Sequence, residues 1–205
     1  MNDFEKALLN YFTEQELQKI QSVKIGIAGA GGLGSNCAFN LTRSGFKQFV
    51  ICDFDVVEYK NLNRQFFFLD QVGIAKVLAL KTNLSRINPD VEIIAKQVKL
   101  DYDNIEEIFS NCDIIVEAFD KANYKKMIAE TFLPTNKILV SASGLAGIGN
   151  SDDIKTKKIR KNFYLIGDQK SAVSDKLPPC SPRVNIAAAK EADVILDLVI
   201  NGELI

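Results

Sequence analysis

Ala28-Gly29-Ala30-Gly31-Gly32-Leu33-Gly34-Ser35-Asn36 follows directly on the apolar run at 23–28 and leads into a helical pattern. Strand, glycine turn and helix in that order build a pocket for a phosphate group. Glycine lets the backbone turn sharply and approach a ligand. The helix behind it aims free N–H groups and the positive end of its dipole at an anion. Gly29, Gly31 and Gly34 satisfy G-x-G-x-x-G, and Gly32 makes a Gly31-Gly32 doublet at the center of the turn. The fingerprint alone suits a nicotinamide dinucleotide or ATP.

Working outward, apolar runs at 23–28, 48–52, 91–98, 114–119 and 137–142 read as strands. Helical patterns at 35–44, 75–87, 104–110 and from 121 to about 132 lie between them. Alternation of this kind implies an α/β fold: a Rossmann-like, mainly parallel sheet with helices on both faces. The 1–21 segment reads as an amphipathic helical arm over 4–21, with Thr13 and Glu16 spaced as a capping box. The 151–205 segment reads as a C-terminal extension: a strand over 159–166, a loop with three prolines at 171–182, and an apolar helix over 184–201. The whole of 1–205 is expected to form one domain.

Composition narrows the chemistry. The chain has 205 residues, 47% hydrophobic and 25% charged, with a formal net charge of −1. That balance offers no electrostatic hold on nucleic acid or an anionic membrane. No apolar run reaches the roughly 18 residues of a membrane span, and the polar N-terminus is unlike a signal peptide, so a cytoplasmic location is expected. There is no histidine, which removes the commonest acid–base group and metal ligand. Cys37, Cys52 and Cys112 lie in helix or strand patterns and read as core residues. Cys180 lies in the proline-rich loop. No two cysteines form C-x-x-C, so no zinc site is expected.

The residues after the second strand separate the two ligands. Asp53 ends that strand, about 20 residues after the glycine turn, where a carboxylate meets ribose hydroxyls in either kind of pocket. The loop that follows carries Asp55, then Asn61, Arg64 and Gln65 in one turn, and Lys76 opens the next helix. Extra cations fit a triphosphate better than a pyrophosphate. Arginine grips phosphate oxygens with two N–H groups, and lysine serves as a mobile point charge. Asp120 ends the strand at 114–119. A carboxylate there can hold Mg²⁺ against phosphates, or cap the helix that follows.

Together these stretches resemble the ThiF/MoeB and ubiquitin-activating-enzyme superfamily. The matching pieces are 29–36, Asp53-Phe54-Asp55-Val56-Val57-Glu58, Asn61-Leu62-Asn63-Arg64-Gln65, Lys76 and Asp120. The short length and Ser181-Pro182-Arg183-Val184 look most like the short form of ThiF, linked to thiamine biosynthesis. The resemblance implies ATP-dependent adenylation of the C-terminal glycine carboxylate of a small ubiquitin-fold sulfur-carrier protein ending in Gly-Gly. Asp53 would bind ribose. Asn61, Arg64, Gln65 and Lys76 would contact phosphates, with Asp55 close by and Asp120 on Mg²⁺. A homodimer is also implied. Longer members carry zinc-binding C-x-x-C pairs, absent here, and a transfer cysteine in a crossover loop, to which Cys180 corresponds only loosely. Many relatives reach the partner subunit's ATP with an N-terminal-helix arginine; Leu9-Asn10-Tyr11-Phe12 has none.

Three readings follow. The first is adenylation of a thiamine-type carrier, with a molybdopterin-type or other carrier as its variant. The second is a nicotinamide-dependent oxidoreductase, for which no hydride-transfer acid or base is evident. The third is a non-catalytic nucleotide-binding scaffold, which would have no need of Arg64, Lys76 and Asp120.

Overall fold

Strands β1 (Lys24–Ala28), β2 (Gln48–Cys52), β3 (Glu92–Lys96), β4 (Ile114–Glu117), β5 (Ile138–Ala142), β6 (Lys155–Arg160) and β7 (Phe163–Gly167) form one sheet in the computed structural model, which describes residues 1–202. Their order is β3-β2-β1-β4-β5-β7-β6. Every neighboring pair is parallel except β6 with β7. Strands β4 and β5 are buried at every position, as expected of parallel strands covered on both faces.

Alternation along the strands sorts side chains to two cores. Ile25, Ile27, Phe49, Ile51, Ile114, Val116 and Val140 point to one face. There they meet α2 (Glu14–Ser22), α3 (Gly32–Arg43), α4 (Lys76–Ser85) and α7 (Ser181–Ile200). Val50, Cys52, Ile115 and Leu139 point to the other. That face is covered by α5 (Ile105–Ile108) and α6 (Ala122–Phe132). The chain leaves β1 toward β2 on one side, while β4 lies on the other. This is the switch point where α/β sheets bind ligands at the strand C-termini.

Three sequence expectations change. The arm over 4–21 is two helices, α1 (Asp3–Leu8) and α2, because Thr13 and Glu16 form a true capping box that starts a new helix. The strand expected at 159–166 is a β6–β7 hairpin turning at 161–162. Strand β6 is exposed throughout and rich in lysine, which hid it from a hydrophobicity reading; charge on an edge strand also discourages pairing with other chains. The helix after the glycines starts at Gly32, not Ser35. The last three positions of the 151–205 segment lie outside the described residues.

The apolar helix near the C-terminus packs within the chain. Val184, Ala187, Ala188, Ile195 and Val199 of α7 are buried in the core that α3 shares, so this helix gives no independent argument for a dimer. Cys37, Cys52 and Cys112 are buried. Burial pushes the Cys52 thiol up to about 12 and the Cys112 thiol up to about 11, as expected of inert core thiols. Among the described residues no helix is long and apolar enough to cross a membrane.

Candidate active site

The glycine turn lies at the C-terminal end of β1. Gly29 has φ +102°, a backbone that L side chains rarely adopt. A Cβ on Gly34 would lie 1.9 Å from the Gly29 carbonyl oxygen, so α3 packs this closely on the turn only with glycine there. Gly31 is the N-cap of α3 and faces open space: a Cβ on it would meet only Gln65 Nε2, at 3.9 Å. The first N–H groups of α3 have no intrahelical acceptor and border this opening.

Asp53 clamps the turn from β2. It is buried, its Oδ2 accepts from Ala30 N–H at 2.7 Å, and its Oδ1 accepts from Asp55 N–H at 2.8 Å. Burial raises its pKa, against the lowering pull of Lys76 and the two N–H groups. Lys76 is the first residue of α4. Its Nζ lies 2.8 Å from Asp55 Oδ2, and its N–H bonds the Asp55 carbonyl at 3.0 Å. Lys76 is 7% exposed and Asp55 49%, so the aspartate is the partner open to solvent.

The turn over Tyr59–Asn61 delivers the other groups. Asn61 Oδ1 accepts from Glu58 N–H at 2.9 Å, a turn-forming bond. Arg64 lays its aliphatic stem against Gly32, while its guanidinium bonds the Lys60 carbonyl and Asn63 Oδ1. Gln65 is buried beside Gly31, and its Oε1 has no hydrogen-bond partner. The Gln65 atom nearest the Gly31 opening is Nε2, an amide donor of the kind an anionic oxygen can accept from.

Ser35 and Asn36 of the glycine motif are fastening residues. Asn36 Nδ2 donates to the Gly32 carbonyl at 2.6 Å and to the Arg64 carbonyl at 2.8 Å. Ser35 Oγ accepts from Phe66 N–H at 3.0 Å. Together they fasten the Arg64–Gln65 turn to the first turn of α3. Two small polar residues inside an otherwise buried helix start were the available signal.

Asp120 follows β4 at the same sheet edge. It is exposed and carries no side-chain bond among the described residues. The N-cap of α6 is Lys121, without a side-chain cap bond, so Asp120 does not cap that helix. The turn before it is tied by Glu117, a residue with no assigned role in the sequence reading. Glu117 is buried, accepts from Phe119 N–H at 2.8 Å, pairs with Lys125 at 2.9 Å, and accepts the Ser141 hydroxyl. The structure thus gathers Gly29, Gly31, Gly32, Gly34, Asp53, Asp55, Asn61, Arg64, Gln65 and Lys76 around one turn; Asp120 does not end a strand as expected but lies beyond β4, which stops at Glu117. Among the described residues no three His, Cys, Asp or Glu side chains cluster to hold a metal. A magnesium ion here would rest on one carboxylate with phosphate and water, an arrangement it favors.

The ThiF family matches residues 5–186. The chain belongs to the ThiF family. Among curated ThiF-like relatives, it is 37% identical over 187 residues to the adenylyltransferase and sulfurtransferase UBA4 of Eremothecium gossypii, covering 87% of this chain and 42% of that one. It is 28% identical to SUMO-activating enzyme subunit 2 of Dictyostelium discoideum, covering 92% of this chain and 28% of the other. The chain therefore spans less than half the length of these relatives. Among solved structures, the fold is similar to that of E. coli tRNA N6-threonylcarbamoyladenosine dehydratase, TcdA, in a complex with ATP. The TM-score is 0.81 at 19% identity, covering 97% of this chain and 92% of that one.

Proposed function

We propose that this ThiF-family chain adenylates the C-terminal glycine carboxylate of a small ubiquitin-fold sulfur-carrier protein, using ATP and releasing pyrophosphate. The observation that carries the reading is the convergence of Arg64, Gln65, Lys76 and the ribose-type acid Asp53 on a glycine cradle that faces open space at Gly31. A carrier carboxylate oxygen attacks the α-phosphorus, the bond to the bridging oxygen of the β-phosphate breaks, and pyrophosphate carries away that electron pair. The nucleophile is already ionized, so no histidine base is needed. What remains for the protein is positioning and charge neutralization.

In this reading Asp53 holds the ribose, while the α3 N-terminus and Gln65 line the phosphates. Asn61 shapes the turn that presents Arg64 to the phosphates. Lys76 exchanges Asp55 for a phosphate oxygen. Asp120 holds Mg²⁺, which when bound supplies neutralizing charge to the phosphates. Of the Gly31-Gly32 doublet, Gly31 faces the open space that a Gly-Gly tail would need. A thiamine-type carrier is the first assignment, a molybdopterin-type carrier the second. The functional unit is proposed to be a cytoplasmic homodimer, on the strength of the family likeness.

The test is pyrophosphate exchange. The chain is incubated with MgATP, labeled pyrophosphate and a purified ubiquitin-fold carrier ending in Gly-Gly. Exchange into ATP that depends on the carrier, and is lost when its last glycine is deleted, is expected. Carrier binding with no exchange would overturn the reading in favor of a nucleotide-binding scaffold.

A further inference from the structure

Ser181-Pro182-Arg183-Val184 stood out in the sequence, and the proposed chemistry does not use it. Arg183, in the first turn of α7, is buried. Its Nη1 donates to the carbonyls of Gly149 at 2.6 Å and Asn150 at 3.0 Å. Its Nη2 lies 2.6 Å from Asp168 Oδ2. Asp168 also accepts from the N–H groups of Lys170 and Ser171, each at 2.8 Å, and from the Ser171 hydroxyl. Its own N–H reaches the Gly144 carbonyl at 3.2 Å. One buried cation therefore joins the loop after β5, the turn after β7 and the start of α7. Arginine suits this junction because its planar fork can meet a carboxylate and carbonyls together.

Between Asp168 and α7 the chain runs as a strap, exposed over 172–178 and without helix or strand. Its far end is stitched to the site. Gly147 N–H bonds the Pro178 carbonyl at 2.9 Å, and Asn63 Nδ2 reaches the Pro179 carbonyl at 3.3 Å. Asn63 immediately precedes Arg64. Val184 Cγ1 lies 3.0 Å from where a Cβ on Gly32 would sit. The strap thus passes from the 144–149 loop to the phosphate turn, and both its roots end on the Arg183–Asp168 pair. Exposed segments with few fixed contacts are the first to open, so this pair carries much of the strap's order.

We propose that Arg183 and Asp168 are positioning residues: their buried pair clasps the strap beside the glycine turn and so shapes the path by which an extended peptide C-terminus reaches the phosphate site. The peptide in this proposal rests on the adenylation reading; the clasp does not. Three variants test it: Arg183→Met, Arg183→Lys and Asp168→Asn. Native-state trypsin cleavage after Lys170 and Lys176 reports strap opening. Half-saturating carrier and ATP concentrations in pyrophosphate exchange report positioning.

In Arg183→Met and Asp168→Asn, cleavage is expected to speed up about tenfold, a change worth about 1.4 kcal/mol. The half-saturating carrier concentration should rise by about the same factor, with that for ATP little changed, and Arg183→Lys should fall between these variants and the parent. Parent-like cleavage in the folded variants, or carrier and ATP values rising together, would overturn the proposal. Should Arg183→Met fail to fold, Asp168→Asn keeps the side-chain size and carries the test. If the parent chain shows no exchange at all, the adenylation reading fails, and the cleavage arm still decides the clasp.

Discussion

Lys76 Nζ sits 2.8 Å from Asp55 Oδ2, with the lysine almost wholly buried and the aspartate half exposed. Under the proposed function, that carboxylate competes with a phosphate for the cation. Two variants should therefore diverge. Lys76→Ala is expected to lower exchange about a hundred- to a thousandfold, the usual effect of removing one electrostatic donor. Asp55→Asn frees the ammonium and removes a negative charge beside the site, so the half-saturating ATP concentration should fall. Initial-rate measurements across ATP concentrations check both.

Asp53 joins β2 to the phosphate turn through the Ala30 N–H. Asp53→Ala leaves that buried donor unpaired, a loss of about 1–3 kcal/mol. For a chain of this size each kcal/mol moves the melting temperature by roughly 2–4 °C. Asp53→Asn keeps an acceptor and should lose less stability than Asp53→Ala, while both weaken ATP binding. Thermal unfolding beside nucleotide titration separates the two effects.

Asp120 and Glu117 lie three positions apart and should behave differently. Asp120→Ala removes an exposed side chain without a bond, so stability should stay within about 0.5 kcal/mol, while the Mg²⁺ concentration for half-maximal exchange rises. Glu117→Ala breaks a buried pair and strands Lys125. Lys125 is 27% exposed, which places the cost near the low end of about 3–5 kcal/mol. Equal stability losses in the two variants would contradict the assigned geometry.

Glu191 of α7 is fully buried, and neither of its carboxylate oxygens has a hydrogen-bond partner. Burial, with the nearby Glu117 charge, pushes its pKa well above the usual carboxylate range. The folded state then holds a proton that the unfolded chain releases once pH exceeds about 4.5. Stability from this group is fully present below that value and declines as pH rises toward the folded pKa. Glu191→Gln should remove that decline, so its melting temperature exceeds the parent's at pH 8 by more than at pH 5. Identical pH profiles for parent and variant would contradict a protonated Glu191.

Local patterns carried most of the fold. Apolar runs broken by glycine and helical stretches placed β1 to β5 and the helices between them, because strand burial and helix amphipathicity are written in nearest neighbors. The β6–β7 hairpin escaped, since β6 is a lysine-rich edge strand that buries nothing. The glycine turn, Asp53, Arg64, Lys76 and Asp120 were legible as chemistry because their residue types and order are local. Their partnerships were not.

The sequence by itself determined an α/β sheet with a glycine turn at its switch point. Only the tertiary structure decided that Lys76 rests on Asp55, that Asn36 and Ser35 fasten the Arg64 turn, that Glu117 ties the approach to Asp120, and that Arg183 reaches Asp168 across the strap. The reason is physical. Each of these bonds joins groups supplied by different segments or turned toward each other only in the folded chain, and hydrogen-bond geometry within about 3 Å exists only after the sheet has brought its strand ends together.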